Sequence, residues 1–227
     1  MTSTTTACGP PPAQARCAAP TTATATATAT ATVLIDDQAL EEFLSAAVGA
    51  YHLITAEAPL PCFALLLGRA EASTFHVRSL VFGRNARTSD PAARQEFSET
   101  IVPRFGPAYE NEHRGWWMDS TDLLKAARQA EEAGLDLLGS IHMHPDWHRI
   151  GPPSARAHVL SERPTPMDRH LFGHSGWPLN LICYLERRDG DFYYALAAWT
   201  PTPSRAPGGG GCAELDLRVR THTPRGV

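Results

Sequence analysis

The chain has 227 residues, 43% of them hydrophobic and 19% charged, with a formal net charge of -4. That length supports one substantial core, and the acidic balance excludes nucleic-acid binding driven by charge. No apolar run reaches 18 residues, which excludes a membrane-spanning helix, and the N-terminus lacks the basic-then-apolar pattern of a secretion signal.

In chain order, residues 1–32 form a low-complexity tail, with three prolines at 10–12 and Thr-Ala repeats after them. Such a segment cannot bury a core and is expected to be disordered. After a short apolar piece from Val33, the spacing of Leu40, Phe43, Leu44, Ala47 and Tyr51 predicts an amphipathic helix. Strands are expected over 62–68 and 74–82. Residues 83–107 read as a loop in which Phe97, Ile101 and Val102 anchor a short helix, and 110–118 as a further strand carrying Trp116 and Trp117. Residues 120–133 read as a helix, with Ser120 as N-cap and Gly134 as C-cap. Two strands over 179–185 and 192–199 surround the turn at Asp189-Gly190. A Pro/Gly linker spans 201–212, and in 213–227 the alternation of Leu215, Leu217 and Val219 suggests an edge strand.

Cysteines stand at 8, 17, 62, 183 and 212, with no CxxC spacing. This excludes a cysteine-based zinc site and argues against a disulfide framework. Cys62 and Cys183 lie in apolar runs and read as small buried hydrophobes, which suits reduced thiols and a cytoplasmic home.

The segment with most chemistry is Gly139-Ser140-Ile141-His142-Met143-His144-Pro145. Leu137, Leu138 and Ile141 make it strand-like, and Pro145 stops it. Residues i and i+2 of a strand share a face, so His142 and His144 can converge on one ion. With a carboxylate such as Asp168, they make a set that suits a catalytic zinc keeping one position open to water. Asp146, His148 and His158 are competing candidates for the site. Trp147 reads as an exposed aromatic able to gate it.

The run His142-x-His144-Pro145 followed by Thr165-x-x-Asp168 resembles the signature of the JAMM (MPN+) zinc metalloproteases. Ala64-Leu65-Leu66-Leu67-Gly68 is similar to an early strand of that family, and the 120–133 helix and the closing hairpin fall where the family has theirs. The resemblance covers roughly residues 34–200. It implies a single α/β domain over 33–200, with an MPN-like (cytidine-deaminase-like) mixed sheet flanked by helices. It also implies zinc held by His142, His144 and Asp168, with Thr165 as donor to the oxyanion. The family's general-base glutamate falls where this chain has Pro61, so Glu57 is the nearest candidate base. Asp168 lies 24 positions after His144, about twice the family's gap, so 146–163 reads as an inserted loop over the site. The activity implied is hydrolysis of peptide, isopeptide or amide bonds. The partner implied is the C-terminal tail of a ubiquitin-like or sulfur-carrier protein, or a small amide. A catalytically silent MPN-like scaffold and an amide hydrolase of a small metabolite are the alternatives.

Overall fold

The computed structural model describes residues 31–157, 159–203 and 211–221. The apolar runs of the sequence become seven strands: β1 (Thr32–Asp36), β2 (Phe63–Glu71), β3 (Thr74–Phe82), β4 (Asp136–Pro145), β5 (Leu179–Arg188), β6 (Asp191–Thr202) and β7 (Gly211–Arg220). Six helical segments connect or cover them: α1 (Asp37–Tyr51), α2 (Pro91–Glu96), α3 (Val102–Phe105), α4 (Ser120–Glu132), α5 (Trp147–Ile150) and α6 (Pro166–Ser175). A π turn over Phe97–Ile101 joins α2 to α3.

The strands close into a barrel in the order β1-β3-β2-β4-β5-β6-β7. This corrects the expected MPN-like mixed sheet flanked by helices. The closure comes from a parallel pairing of β1 with β7 in which Thr32 stands opposite Asp216 and Asp36 opposite Arg220. β7 is therefore no edge strand, because β6 holds its other side. A closed barrel leaves no unpaired edge of backbone N–H and C=O groups.

The main core fills the barrel. Val33, Ile35, Leu66, Val77, Ile141 and Leu181 belong to it, and α1 adds Ala39, Leu40, Phe43, Ala47 and Tyr51 at helical spacing. Side chains of opposite parity face outward under the helices. Phe63 and Leu65 pack beneath α4 with Met118 and Ala126, and Phe172 of α6 packs on Ile182, Ala197 and Trp199. Cys62 and Cys183 are free thiols in the core, and burial pushes both up to about 12. Among the described residues, no helix is long and apolar enough to cross a membrane.

Several local expectations change. Residues 110–118 are not a strand. Gly106 and Gly115 sit at φ +104° and +83°, which breaks extended chain, and Pro107–Glu110 is a 3-10 turn. Only Met118 bridges to another segment, at Asn85. The N-cap of α4 is Asp119, whose carboxylate accepts from the Thr121 and Asp122 amides. β6 runs to Thr202, into the stretch read as linker, and Thr32 already belongs to β1. The remainder of the N-terminal tail, His158 and residues 204–210 lie outside the described residues.

Behind the β4–α5 junction, the Tyr51 hydroxyl donates to Asp146 Oδ1 at 2.7 Å, and the Arg187 amide donates to Oδ2 at 3.3 Å. Burial, with Asp146 beside it, pushes the Tyr51 hydroxyl well above its ordinary range. With both oxygens accepting these bonds and no place in the His142-His144-Asp168 group, Asp146 is a buried structural acceptor. Tyr51→Phe is expected to cost about 1–3 kcal/mol, since it strips a donor from a buried carboxylate. A urea midpoint unchanged from wild type would show that Asp146 recruits another donor.

Candidate metal centre

Ile141 and Met143 point into the barrel, so His142 and His144 point out, beneath α6. The first turn of α6 supplies the third group. Thr165 is its N-cap, Pro166 follows at the first helical position, and Asp168 completes a capping box. The Asp168 amide donates to Thr165 Oγ1 at 3.2 Å, while the Thr165 amide and hydroxyl each donate to Asp168 Oδ2 at 2.7 Å. The free N–H groups of the helix start favour a carboxylate there.

These elements bring His142, His144 and Asp168 together, all within 4.8 Å of one another and all buried. The two Nε2 atoms are 3.0 Å apart, and each lies 3.3 Å from an Asp168 oxygen. Ligands about 2.0–2.1 Å from a tetrahedral zinc stand about 3.3 Å from each other, so the donor set fits zinc in type and spacing. His144 Nδ1 lies 2.8 Å from the Ser161 carbonyl. Donating there leaves its Nε2 lone pair facing the centre, the usual outer support of a metal-bound histidine. His142 Nδ1 is buried without a partner, and its Nε2 faces His144 and Asp168, so two imidazoles and a carboxylate form a donor set that could hold a cation. Burial holds His142 below the ordinary imidazole range. It pulls His144 the same way, but Asp168 and the Ser161 carbonyl outweigh it and leave His144 above that range. Burial raises Asp168, and His144 and His142 more than reverse this, holding it well below the usual carboxylate range.

A cavity of about 90 Å³ opens over these three side chains, walled by Pro61, Tyr109, Arg114, Trp116, Trp147 and Thr165. Trp116 stacks on Phe63 at 4.8 Å and lies 6.0 Å from the His142 ring. Trp147 is 3% exposed, so it is a fixed wall rather than an exposed gate. Tyr109 contacts the Thr165 hydroxyl, and burial and the Asp168 charge raise its own hydroxyl. The guanidinium of Arg114 lies 5.5 Å from the Tyr109 ring centre and 5.4 Å from that of Trp147. The loop bearing both residues is organised from below. The buried Arg87 guanidinium donates to the carbonyls of Tyr109, Asn111 and Arg114, and burial lowers it to about 10.

Glu57 does not join the site. Its side chain is exposed and does not line the cavity, and its backbone carbonyl accepts from Asn111 Nδ2 at 2.8 Å. Thr165 lines the cavity, but its single hydroxyl proton is committed to Asp168. His170 lies apart, against Glu96 and Arg104. Tyr109 and Arg114 have no counterpart in the sequence reading. They sit on an irregular loop without periodicity, and the only available signal was an Arg and an aromatic close together between two glycines.

Fold and site together define a closed seven-stranded barrel with a buried His-His-Asp cluster on its outer face. No protein-family model matches the chain, and no curated protein does. Among solved structures, it is similar to the solution structure of protein DSY2949 from Desulfitobacterium hafniense, with 15% identity and a TM-score of 0.50, covering 85% of this chain and 95% of that one. It is also similar to the solution structure of a protein from Salinibacter ruber, with 22% identity and a TM-score of 0.41, covering 82% and 90%. At these identities the first likeness concerns the fold alone, and the second carries no argument.

Proposed function

We propose that this chain is a zinc-dependent hydrolase of peptide, isopeptide or amide bonds, working at a JAMM-like centre in a closed barrel. The observation that carries this reading is the convergence of His142 Nε2, His144 Nε2 and the Asp168 carboxylate at the floor of a small cavity. Zinc held there would supply an activated water and polarise the scissile carbonyl. The chain's own groups do the rest. The Thr165 amide and hydroxyl orient Asp168, the Ser161 carbonyl fixes the tautomer of His144, and Trp116 and Trp147 keep bulk water from the cavity. Thr165, in its cap, is an orienting residue rather than the oxyanion donor. The Tyr109 hydroxyl is hydrogen-bonded to Thr165, so the Arg114 guanidinium is the cavity's available donor to a developing oxyanion, a role worth about 3–4 kcal/mol. The tail of a ubiquitin-like or sulfur-carrier protein, or a small amide, is the proposed substrate. The free buried thiols of Cys62 and Cys183 fit the cytoplasm as its place of work.

One observation favours a second reading, a metal-binding scaffold without turnover. Asp168 is the only carboxylate residue lining the cavity among the described residues, and Glu57 is outside it. The two readings separate on activity. The zinc-loaded full chain is offered fluorogenic peptides, an isopeptide-linked ubiquitin-like substrate and small acyl amides. Turnover that disappears when zinc is stripped and returns when it is restored supports the hydrolase. No turnover on any of them, with stoichiometric zinc bound, supports the scaffold.

A further inference from the structure

Beyond the metal cavity the protein has a larger cleft of about 1010 Å³. The two share Tyr109, Arg114, Trp147, Leu160, Thr165 and Met167, so the cleft begins where the metal cavity ends. One wall is the 146–163 insertion, through Pro152, Ser154, Leu160 and Ser161, and the other is the segment around Arg104, Tyr109 and Asn111. The charge of this cleft is one-sided. Arg104, Arg114 and Arg163 line it, and no Asp or Glu does among the described residues. This occurs in a chain whose formal net charge is -4, so the positive character is local to the cleft.

Arg114 stands at the junction. It is half-buried, its guanidinium is flanked by the Tyr109 and Trp147 rings, and no carboxylate pairs with it among the described residues. A desolvated guanidinium normally has a carboxylate or phosphate partner, because its planar donor fork matches those anions. The two rings hold the fork in place and leave its polar edge for a ligand. A cavity of about 90 Å³ can take a reacting group but not the rest of a peptide, so the remainder must lie in the cleft.

We infer that the cleft binds a carboxylate on the substrate of the metal centre, with Arg114 as its receptor and Pro152, Ser154, Leu160 and Ser161 as the wall that makes the site. The inference rests on reading the His-His-Asp group as the reacting centre. The carboxylate has two possible sources, the α-carboxyl end of a peptide or an acidic side chain within it.

The test is a calorimetric titration of the full chain, both zinc-loaded and zinc-stripped, with three probes: acetyl-Ala-Ala-Ala as free acid, the same peptide as its amide, and acetyl-Ala-Asp-Ala amide. One carboxylate probe is expected to bind roughly 10-fold or more tightly than the neutral amide, as a charged hydrogen-bonded pair allows. A preference for the first names a chain terminus, and one for the third names a side chain. The preference should persist without zinc, vanish in Arg114→Met and survive in part in Arg114→Lys. Equal binding of all three probes, no binding of either carboxylate, a preference that needs zinc, or one untouched by Arg114→Met would overturn the inference. A protein that cleaves nothing yet keeps the preference when zinc-stripped would sink the hydrolase reading and leave the carboxylate site standing.

Discussion

His144→Ala is expected to abolish zinc uptake while the barrel stays folded. The substitution removes one of three proposed protein ligands, so its effect should exceed the roughly 10–100-fold loss in affinity that follows removal of a group hydrogen-bonded to a ligand. It also frees the Ser161 carbonyl and removes the Nε2 that lies 3.3 Å from Asp168. Folding should survive because the imidazole projects outward, away from the core that Ile141 and Met143 join. Asp168→Asn should weaken uptake as well, since a neutral amide is a poorer ligand. The wild type should show a defined pH response. His144 lies above the ordinary imidazole range, so a proton competes with the metal for its Nε2 up to a higher pH than at a free histidine. Zinc affinity therefore rises with pH through that window and levels off above it, whereas His142, held below the range, competes only at lower pH. Metal content after dialysis, circular dichroism and zinc titrations at several pH values test all of this. Full zinc retention in His144→Ala would remove the residue from the site.

The His142-His144-Asp168 cluster was legible because each residue obeys a local rule. Strand alternation places His142 beside His144, and a capping box places Asp168 at the start of α6, so Thr165-x-x-Asp168 encodes the helix start and the ligand together. The 24-residue gap did not matter, since the insertion leaves both ends where the barrel and helix hold them. What depended on distant pairing was not legible. Barrel closure joins β1 to β7 from opposite ends of the sequence, and each alone reads as a short apolar piece. Glu57 shows the limit of spacing arguments. Thr55 closes a turn on Ala58, its amide donating to the Ala58 carbonyl and its hydroxyl accepting from the Ala58 amide, and Glu57 is left at the solvent side. The prolines at 59 and 61 bring backbone to the cavity wall without the carboxylate. Tyr109 and Arg114 owe their place to Arg87 gathering three carbonyls of one loop, which no periodicity announces.

Gly139→Ala should be among the most damaging single substitutions in the chain. Gly139 sits at φ +156°, beside the register shift between β2 and β4, and pairs with Leu179 of β5. A Cβ built on it would lie 1.6 Å from the Leu179 carbonyl oxygen and 2.7 Å from its carbon. Both are backbone atoms, so no rotamer change relieves the clash, and β4 and β5 would have to separate. Both strands are buried, and β4 goes on to carry His142 and His144, so separation disturbs the barrel seam and the metal centre together. The expected loss exceeds roughly 3 kcal/mol, above the usual range for single substitutions. Gly49→Ala is the control. It lies within α1, and an added Cβ there meets nothing within 4 Å. Gly49 is in the last turn of α1, so replacing it by alanine should stabilise by up to about 0.5–1 kcal/mol, the helix-interior value. Chemical denaturation of the two variants beside the wild type should thus move the midpoint in opposite directions. A Gly139→Ala protein that is as stable as wild type and still takes up zinc would mean that β4 and β5 do not approach this closely at Gly139 and Leu179.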